Sequence, residues 1–154
     1  MSKVVCVGSD HRGVLVRDFV VKLLTKQGYS CLVFGSENAE DIVDYPDIVR
    51  DITHNIKDSK AEFGVLICGT GVGVCMCANR KKGVRAVLAD SLERVYFARR
   101  HEDANLLVFA GGYTDGHKTI KTPEYKFLEQ ALIEFENTAF EAGRHCERVA
   151  KLDR

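Results

Sequence analysis

The chain has 154 residues, of which 45% are hydrophobic, and its 22 Lys and Arg residues balance 22 Asp and Glu residues. This length predicts a single domain, residues 1–154, whose core can form without disulfides or a structural metal. The charge balance argues against a nucleic-acid partner, because binding to phosphate backbones requires an excess of clustered basic residues. No apolar run approaches the roughly 20 residues that span a bilayer, and the first residues lack a secretory signal. We therefore expect a cytoplasmic protein with no membrane partner.

The first part of the chain alternates short apolar runs with amphipathic stretches. Residues 4–7 have the pattern of a strand, and a helical pattern of apolar residues follows over 14–24. Gly28 is placed to end that helix. Residues 31–34 predict a second strand, and a second helix is predicted over 46–57, because Pro46 fits the first turn of a helix.

The same alternation continues through the middle of the chain. Residues 63–68 are apolar on both alternating faces, which is typical of a central strand covered on both sides. A helix over 74–81, a fourth strand over 84–89, a helix over 91–101 and a fifth strand over 106–110 follow. Ser91 is the expected N-cap of the fourth helix.

The segment 122–138 predicts a long last helix with an apolar stripe. Five strands separated by helices predict a parallel sheet with right-handed crossovers. We therefore expect an α/β fold of three layers, Rossmann-like, with a five-stranded parallel sheet and a C-terminal helix extension.

The six cysteines are expected to be free thiols, because the domain is large enough to fold without disulfide bonds. No pair has the Cys-x-x-Cys spacing of a zinc site, so no metal is expected. Five of them are assigned to the core or to the candidate site, and one to an exposed, oxidisable position. The cysteines are Cys6 and Cys31 in strands, Cys68 at a strand end, Cys75 and Cys77 in a helix, and the exposed Cys146.

Open parallel sheets bind ligands beyond the carboxyl ends of their strands. The first strand leads to Asp10 and His11, the third to Cys68, the fourth to Asp90, and the fourth helix ends at His101. We therefore expect these acid, base and nucleophile candidates to share one edge of the sheet.

Two nucleotide-binding motifs are almost present. Gly8 and Gly13 have the glycine spacing of a P-loop, but Val and Leu follow where Lys and Ser or Thr are required. The glycines of 69–73 resemble a dinucleotide fingerprint, with Asp90 where a ribose-binding acid would stand. The third glycine is one residue early, however, and the chain is too short for a separate substrate domain.

Cys68 directly precedes the glycine-rich segment and the start of a helix. The positive end of a helix favours the thiolate, so this cysteine can act as a base. The glycine backbone can approach a substrate closely and direct N–H groups at an oxygen that becomes negative. The alternative is that Cys68 is an ordinary buried cysteine at a strand end.

Six motifs occur in the chain in the order Gly8-Ser9-Asp10-His11, Asp44-Tyr45-Pro46-Asp47, Ile67-Cys68-Gly69-Thr70-Gly71-Val72-Gly73, Ala78-Asn79-Arg80-Lys81, Ala98-Arg99-Arg100-His101-Glu102-Asp103-Ala104-Asn105 and Ala142-Gly143-Arg144-His145. The most specific feature is the Cys-Gly-Thr-Gly-x-Gly loop combined with a His-x-Asp-x-Asn segment. With these motifs the chain resembles the ribose-5-phosphate isomerase B family over almost its whole length.

The resemblance implies interconversion of ribose 5-phosphate and ribulose 5-phosphate through a cis-enediolate, without a metal or organic cofactor. Cys68 would move the proton between C1 and C2 of the open-chain sugar. Thr70 and the loop amides would stabilise the oxyanion. The remaining loop residues expected at the substrate are Gly69, Gly71, Val72 and Gly73.

The resemblance also implies that His101 opens the sugar ring by general acid catalysis, with Asp10 as its partner across the sugar. Imidazole suits this step because it exchanges protons near neutral pH. Taken alone, His101 could equally be a solvated residue at a helix end.

Phosphate binding is assigned by the resemblance to His11, Arg144 and Arg148, since Arg offers paired donors to phosphate oxygens. Without the resemblance, Arg144 and Arg148 would be a charged helix face. Tyr45 would line the sugar pocket, and its alternative is packing against Pro46.

The chain departs from the family at three positions. Some relatives use a glutamate just after the loop as the base, where this chain has Val74, so the cysteine is favoured. Glu102 stands near the substrate where Asn is common, and its carboxylate would repel an enediolate. Gly112 replaces a common phosphate-binding Arg, a loss that weakens phosphate binding or is compensated by Lys118 or Lys121.

Family members are usually homodimers or dimers of dimers with active sites built from two chains, so His101 would serve the neighbouring subunit's Cys68. The nearest alternative substrate is a phosphohexose, such as allose or galactose 6-phosphate. Two further alternatives are a sugar-phosphate or nucleotide binding module without turnover and a structural subunit of a heteromer.

Overall fold

The computed structural model describes residues 1–153. The strands are β1 Val4–Ser9, β2 Ser30–Gly35, β3 Phe63–Cys68, β4 Ala86–Leu88, β5 Leu106–Ala110, β6 Tyr113–Thr114 and β7 Thr119–Ile120. The helices are α1 Val14–Lys26, α2 Tyr45–Lys57, α3 Val72–Asn79, α4 Leu92–Glu102, α5 Tyr125–Asn137 and α6 His145–Lys151. Strands β1 to β5 form one parallel sheet in the order β2-β1-β3-β5-β4, and β6 and β7 form a separate antiparallel hairpin. The predicted three-layer Rossmann-like fold is confirmed.

Several boundaries differ from the prediction by one or two residues, and α3 and β4 are examples. Helix α3 starts two residues earlier, because Gly71 adopts φ 76° and the Thr70 hydroxyl accepts a hydrogen bond from Val72 N at 3.2 Å. Strand β4 covers only Ala86–Leu88 instead of 84–89. The Ser91 hydroxyl caps α4 by accepting from Arg94 N at 3.2 Å, as expected.

The last part of the chain contains elements that the prediction omitted. The short hairpin of β6 and β7 follows the sheet, and α6 follows α5, so the helix predicted over 122–138 is not the last one. Within residues 1–153, no helix is both long and apolar enough to cross a membrane.

Two apolar clusters cover the two faces of the sheet. One joins β1, β3 and β5 to α1, α4 and α5 and includes Val20, Phe109 and Leu132. The other joins the sheet to α2 and α3 and includes Ile52 and Val74. The sheet is therefore covered on both sides, as the apolar sequence of β3 requires.

All five strands of the sheet point the same way, which defines two edges. The carboxyl edge is where β1, β3 and β5 end, with Ser9 beside Ile67 and Cys68 beside Ala110. The amino edge is where the same strands begin. Neighbouring strands β1 and β3 connect to opposite sides of the sheet, so their carboxyl ends form the topological switch point where open α/β sheets bind ligands.

A side chain forms hydrogen bonds with the unpaired backbone of the outer strand β4. Asn79 donates from Nδ2 to the Ala86 carbonyl oxygen at 2.9 Å, and its Oδ1 accepts from Ala86 N at 2.8 Å. The amide of Asn79 thus replaces a neighbouring strand at the unpaired side of β4. Such blocking protects edge strands from pairing with other chains.

We expect Asn79→Ala to lower the free energy of unfolding by about 1–2 kcal/mol, because two hydrogen bonds to the β4 backbone are lost. Urea unfolding at neutral pH measures the change. The matched control is Arg80→Ala, at an exposed neighbouring residue whose side chain makes no hydrogen bond or ion pair within residues 1–153. Equal unfolding midpoints for the two variants would contradict the assigned role of Asn79.

Candidate active site

Asp10 follows β1 at the carboxyl edge and is almost fully buried. Its Oδ1 accepts from Arg12 N at 2.9 Å and from Gly13 N at 3.1 Å, which turns the chain into α1. Its own N–H donates to the carbonyl oxygen of Ile67 at 3.3 Å. Asp10 therefore lies beside the end of β3, with one carboxylate oxygen engaged by the backbone.

Cys68 is the last residue of β3 and is 5% exposed. Its carbonyl oxygen accepts from Gly111 N at 2.8 Å, which joins the ends of β3 and β5. The fully buried Val74 belongs to the same apolar cluster as Cys68. The structure therefore brings Cys68 to the same edge as Asp10, as the sequence predicted, with the thiol largely covered.

The glycine loop over 69–73 joins β3 to α3. Thr70 caps the helix through its hydroxyl, and Gly73 lies in the first turn, where backbone N–H groups have no intrahelical partner. The loop lies between Cys68 at the end of β3 and the positive end of α3. Its role in stabilising an oxyanion stays a prediction.

Tyr45 lies against this loop. A β-carbon at position 73 would lie 2.8 Å from Tyr45 Cζ and 3.1 Å from its hydroxyl oxygen, so the ring contacts Gly73 in a way that a side chain there would prevent. The ring is half-exposed at the start of α2. The structure thus places Tyr45 beside the glycine loop, and its role in lining a sugar pocket stays a prediction.

His11 and Arg12 complete the carboxyl edge. The Nδ1 atom of His11 is buried and has no hydrogen-bond partner within residues 1–153. The guanidinium of Arg12 stacks on the Tyr113 ring, with 4.6 Å between its central carbon and the ring centre. The sequence analysis missed Arg12, although its place directly after a strand and two predicted site residues was a usable signal.

His101 lies at the other end of the sheet, so the expectation that the candidates share one edge is wrong for a single chain. Helix α4 starts beyond the carboxyl end of β4 and returns the chain to the amino end of β5. Its 11 residues span about 16 Å. Asn105, just after His101, bonds through its carbonyl oxygen to Gly64 N at the start of β3.

The His101 ring is held between two other rings. It stacks on His145 with 4.2 Å between centroids and 13° between planes, and Phe97 lies 5.1 Å away. His145 is buried, its Nε2 has no partner within residues 1–153, and burial, followed by its coulombic interaction with His101, lowers its pKa. The lowered pKa disfavours the charged form of the imidazole that stacks on the His101 ring.

Glu141 faces His101, with 3.9 Å between its Oε2 and His101 Nε2. The side chains of His101, Glu141 and His145 form a compact group of metal-ligand types. However, Arg100 and Arg144 also contact the Glu141 carboxylate, at 3.1 and 3.3 Å. Two guanidinium groups compete with any cation for that carboxylate, so the group suits the orientation of an imidazole better than the binding of a metal.

The other predicted residues of this edge are exposed. Arg144 precedes α6 and Arg148 lies on it, so both accompany His101 rather than His11. Glu102 lines a surface cavity of about 480 Å³ together with Phe97. Asp90 lies just before α4, and its carboxylate pairs with Arg94 at 2.9 Å. It belongs neither to the residues around Cys68 nor to those around His101.

Gly112 cannot be replaced by a larger residue without strain. Its φ is 106°, and a β-carbon there would lie 2.4 Å from Thr122 Oγ1. The backbone after β5 therefore requires glycine, which explains the missing side chain at this position. Lys118 and Lys121, the residues suggested as substitutes, are exposed in and just after the hairpin.

The six cysteines are free. Cys6 is buried in β1, and burial raises its pKa to about 11. Cys31 and the two cysteines of α3 are only partly buried, which is less than a core position implies. Cys146 is exposed, as expected.

The chain is similar to known proteins over nearly its full length. The family model described as Ribose/Galactose Isomerase matches residues 5–152. The chain belongs to the ribose/galactose isomerase family. The probable ribose-5-phosphate isomerase B of Mycoplasma pneumoniae is 34% identical over 99% of this chain and 94% of its own length.

Two solved structures resemble this family member over nearly its full length. The ribose 5-phosphate isomerase of Thermotoga maritima has a TM-score of 0.89 and 31% identity, covering 99% of both chains. The ribose-5-phosphate isomerase B of Mycoplasma genitalium, with bound ribulose-5-phosphate, has a TM-score of 0.85 and 32% identity, covering 100% of this chain and 96% of its own.

We expect Gly112→Ala to be less stable than Gly116→Ala by about 1 kcal/mol or more, because only position 112 adds a steric clash. Both glycines have positive φ, at 106° and 90°, but nothing lies within 4 Å of a β-carbon at position 116. Thermal or urea unfolding of the two variants measures the difference. Equal losses would show that the contact with Thr122 relaxes without cost.

Proposed function

We propose that this chain is an aldose–ketose isomerase that interconverts ribose 5-phosphate and ribulose 5-phosphate, a step of the non-oxidative pentose phosphate pathway. The observation that carries the proposal is the placement of Cys68 beside Asp10 at the switch point, under the first turn of α3. Membership of the isomerase family and the sugar phosphate held by the Mycoplasma genitalium protein support the same reaction.

In the proposed reaction the Cys68 thiolate removes the proton from C2 of the open-chain aldose. The electron pair forms the C1–C2 double bond, and the aldehyde oxygen becomes the oxyanion of a cis-enediolate. Thr70 and the N–H groups around Gly71 and Gly73 stabilise that oxyanion. Transfer of the hydroxyl proton from O2 to O1, together with return of the proton from Cys68 to C1, forms the carbonyl at C2 and gives the ketose, so no external oxidant is needed.

We infer that the active site is completed by a second copy of this chain. His101 is needed to open the ring, yet it lies at the amino edge, while Cys68 lies at the carboxyl edge, and β3 alone spans about 17 Å. In a twofold symmetric dimer the carboxyl edge of one subunit meets the His101 region of the other, and the converse contact forms at once. A dimer, or a dimer of dimers, thus gives two complete sites.

Exposed apolar side chains support this pairing. Val72 and Met76 of α3 are 42% and 67% exposed beside the glycine loop, and Phe97 of α4 is 50% exposed beside His101. Each half of the proposed site therefore carries an apolar surface next to it. Burying such surfaces against each other stabilises association.

The same pairing supplies the phosphate site. His11 at the carboxyl edge would meet Arg144 and Arg148 of the other subunit, and both arginines are exposed in the single chain. Paired N–H donors of arginine match the oxygens of a phosphate group. The Glu102 carboxylate would enter the same region and repel the negatively charged enediolate, which makes it a determinant of rate.

We propose a cytoplasmic location for this enzyme, since its substrate is a charged metabolite.

We expect the purified chain to convert ribose 5-phosphate to ribulose 5-phosphate in the presence of EDTA. Cys68→Ala should lower the rate by about 10²- to 10⁴-fold, because the proton-transferring group is lost. The matched control is Cys146→Ala, at an exposed thiol of α6, which should keep the wild-type rate. A Cys68→Ala variant as active as the control would remove the proposed base.

The same assay separates the alternatives. Allose 6-phosphate and galactose 6-phosphate are assayed in parallel, and faster turnover of a hexose would identify a phosphohexose isomerase. Calorimetric binding of ribose 5-phosphate without turnover by the wild type would favour a binding module. Absence of both binding and turnover would contradict the proposed function.

A site shared between subunits makes a further outcome testable. Cys68→Ala and His101→Ala homodimers should both be inactive, whereas co-refolding equal amounts should restore about one quarter of wild-type activity. In a mixed dimer, one site retains both Cys68 and His101, and the other site lacks both side chains. The control is co-refolding of Cys68→Ala with Thr70→Ala, which remove groups from the same half and should restore nothing.

A further inference from the structure

Arg12 is an exposed basic residue at the carboxyl edge that the proposed mechanism leaves without a role. Its stem runs over the first residue of the glycine loop, because a β-carbon at Gly69 would lie 3.0 Å from Arg12 Cδ. Its carbonyl oxygen would lie 2.5 Å from a β-carbon at Gly111. The close approach of the β1–α1, β3–α3 and β5–β6 connections therefore fixes Arg12 beside Gly69, the residue that follows Cys68.

The guanidinium of Arg12 is held by an aromatic ring. Its central carbon lies 4.6 Å from the centre of the Tyr113 ring, which is a cation–π arrangement. Tyr113 starts the hairpin directly after the Gly111–Gly112 turn. The ring covers one face of the guanidinium and leaves its N–H edges free to bind.

The charge of Arg12 is not balanced by the protein. Within residues 1–153, its guanidinium makes no hydrogen bond and has no carboxylate within 4 Å, whereas seven other arginines make ion pairs. The nearest acid in sequence is Asp10, whose Oδ1 is occupied by the backbone amides of Arg12 and Gly13. The planar donor fork is therefore available for an anion from outside the chain.

A second unpaired donor or acceptor lies next to it. His11 Nδ1 is buried without a partner within residues 1–153. Two adjacent side chains at the switch point thus both lack partners, and both suit a ligand with several negative oxygens. A phosphomonoester is the part of the proposed substrate with that chemistry.

We propose that Arg12 binds the phosphate group of the substrate, and that Tyr113 positions its guanidinium for this contact. The proposal rests on the proposed function, since it assigns Arg12 to the phosphate end of the same substrate. Arg12 adds a charge from the Cys68 side of the site, independent of the other subunit. The phosphate is then held at the same edge as the thiol that acts on the sugar.

We expect Arg12→Gln to raise KM for ribose 5-phosphate by about 10- to 100-fold, because charge-assisted hydrogen bonds to the phosphate are lost. The kcat value should change less than about threefold, since the contact is the same in the ground state and the transition state. Arg12→Lys should give an intermediate KM, because the charge remains without the fork. Tyr113→Leu should raise KM less than Arg12→Gln, because the cation stays but is less ordered.

The matched control is Arg80→Gln, at an exposed arginine of the α3 end that also lacks an ion pair within residues 1–153. Urea midpoints equal to wild type show that all variants fold. A KM for Arg12→Gln no higher than that of Arg80→Gln, in an active enzyme, overturns the role of Arg12 and leaves the proposed function intact. If the wild type has no isomerase activity, calorimetry measures the binding of inorganic phosphate to the wild type and to Arg12→Gln. Equal dissociation constants for the two proteins overturn the role of Arg12 in phosphate binding.

Discussion

The common direction of the five strands is the constraint on which the rest of this molecule depends. Strands β1 and β3 deliver Asp10 and Cys68 to the carboxyl edge, while α4 must return the chain and therefore leaves His101 at the amino edge. No rotation of side chains closes a gap as long as a strand of the sheet. The two groups of the proposed chemistry therefore lie at opposite edges of one chain, which is the reason for proposing that two copies complete the site.

The absence of a β-carbon at a few glycines allows residues at the carboxyl edge to contact the glycine loop. At Gly73 the Tyr45 ring lies where a β-carbon would stand, and at Gly69 the stem of Arg12 does the same. The positive φ of Gly71 turns the loop into α3. The absence of side chains at these glycines therefore lets the residues proposed to bind substrate approach the loop backbone directly.

The sequence predicted the elements that carry hydrophobic periodicity and missed those that do not. Five strands and five helices were visible as apolar patterns, whereas β6 and β7 have two residues each and α6 has seven, too few to show a period. Residues at or directly after strand ends, such as Cys68 and Asp10, were placed correctly because the carboxyl ends of parallel strands share an edge. His101 was misplaced because the end of a crossover helix lies at the opposite edge. The stacking of Arg12 on Tyr113 is a contact between distant segments, which no local pattern reveals.

The amide of Asn79 at β4 also affects how copies of the chain can join. By occupying the N–H and C=O of Ala86, it stops the sheet from continuing into another subunit along that side. Assembly at that side must therefore rely on helix surfaces, whose side chains encode a specific partner, instead of on backbone ladders that accept almost any extended peptide. A single asparagine thus prevents non-specific strand pairing at this edge and leaves only the more selective contacts between helices.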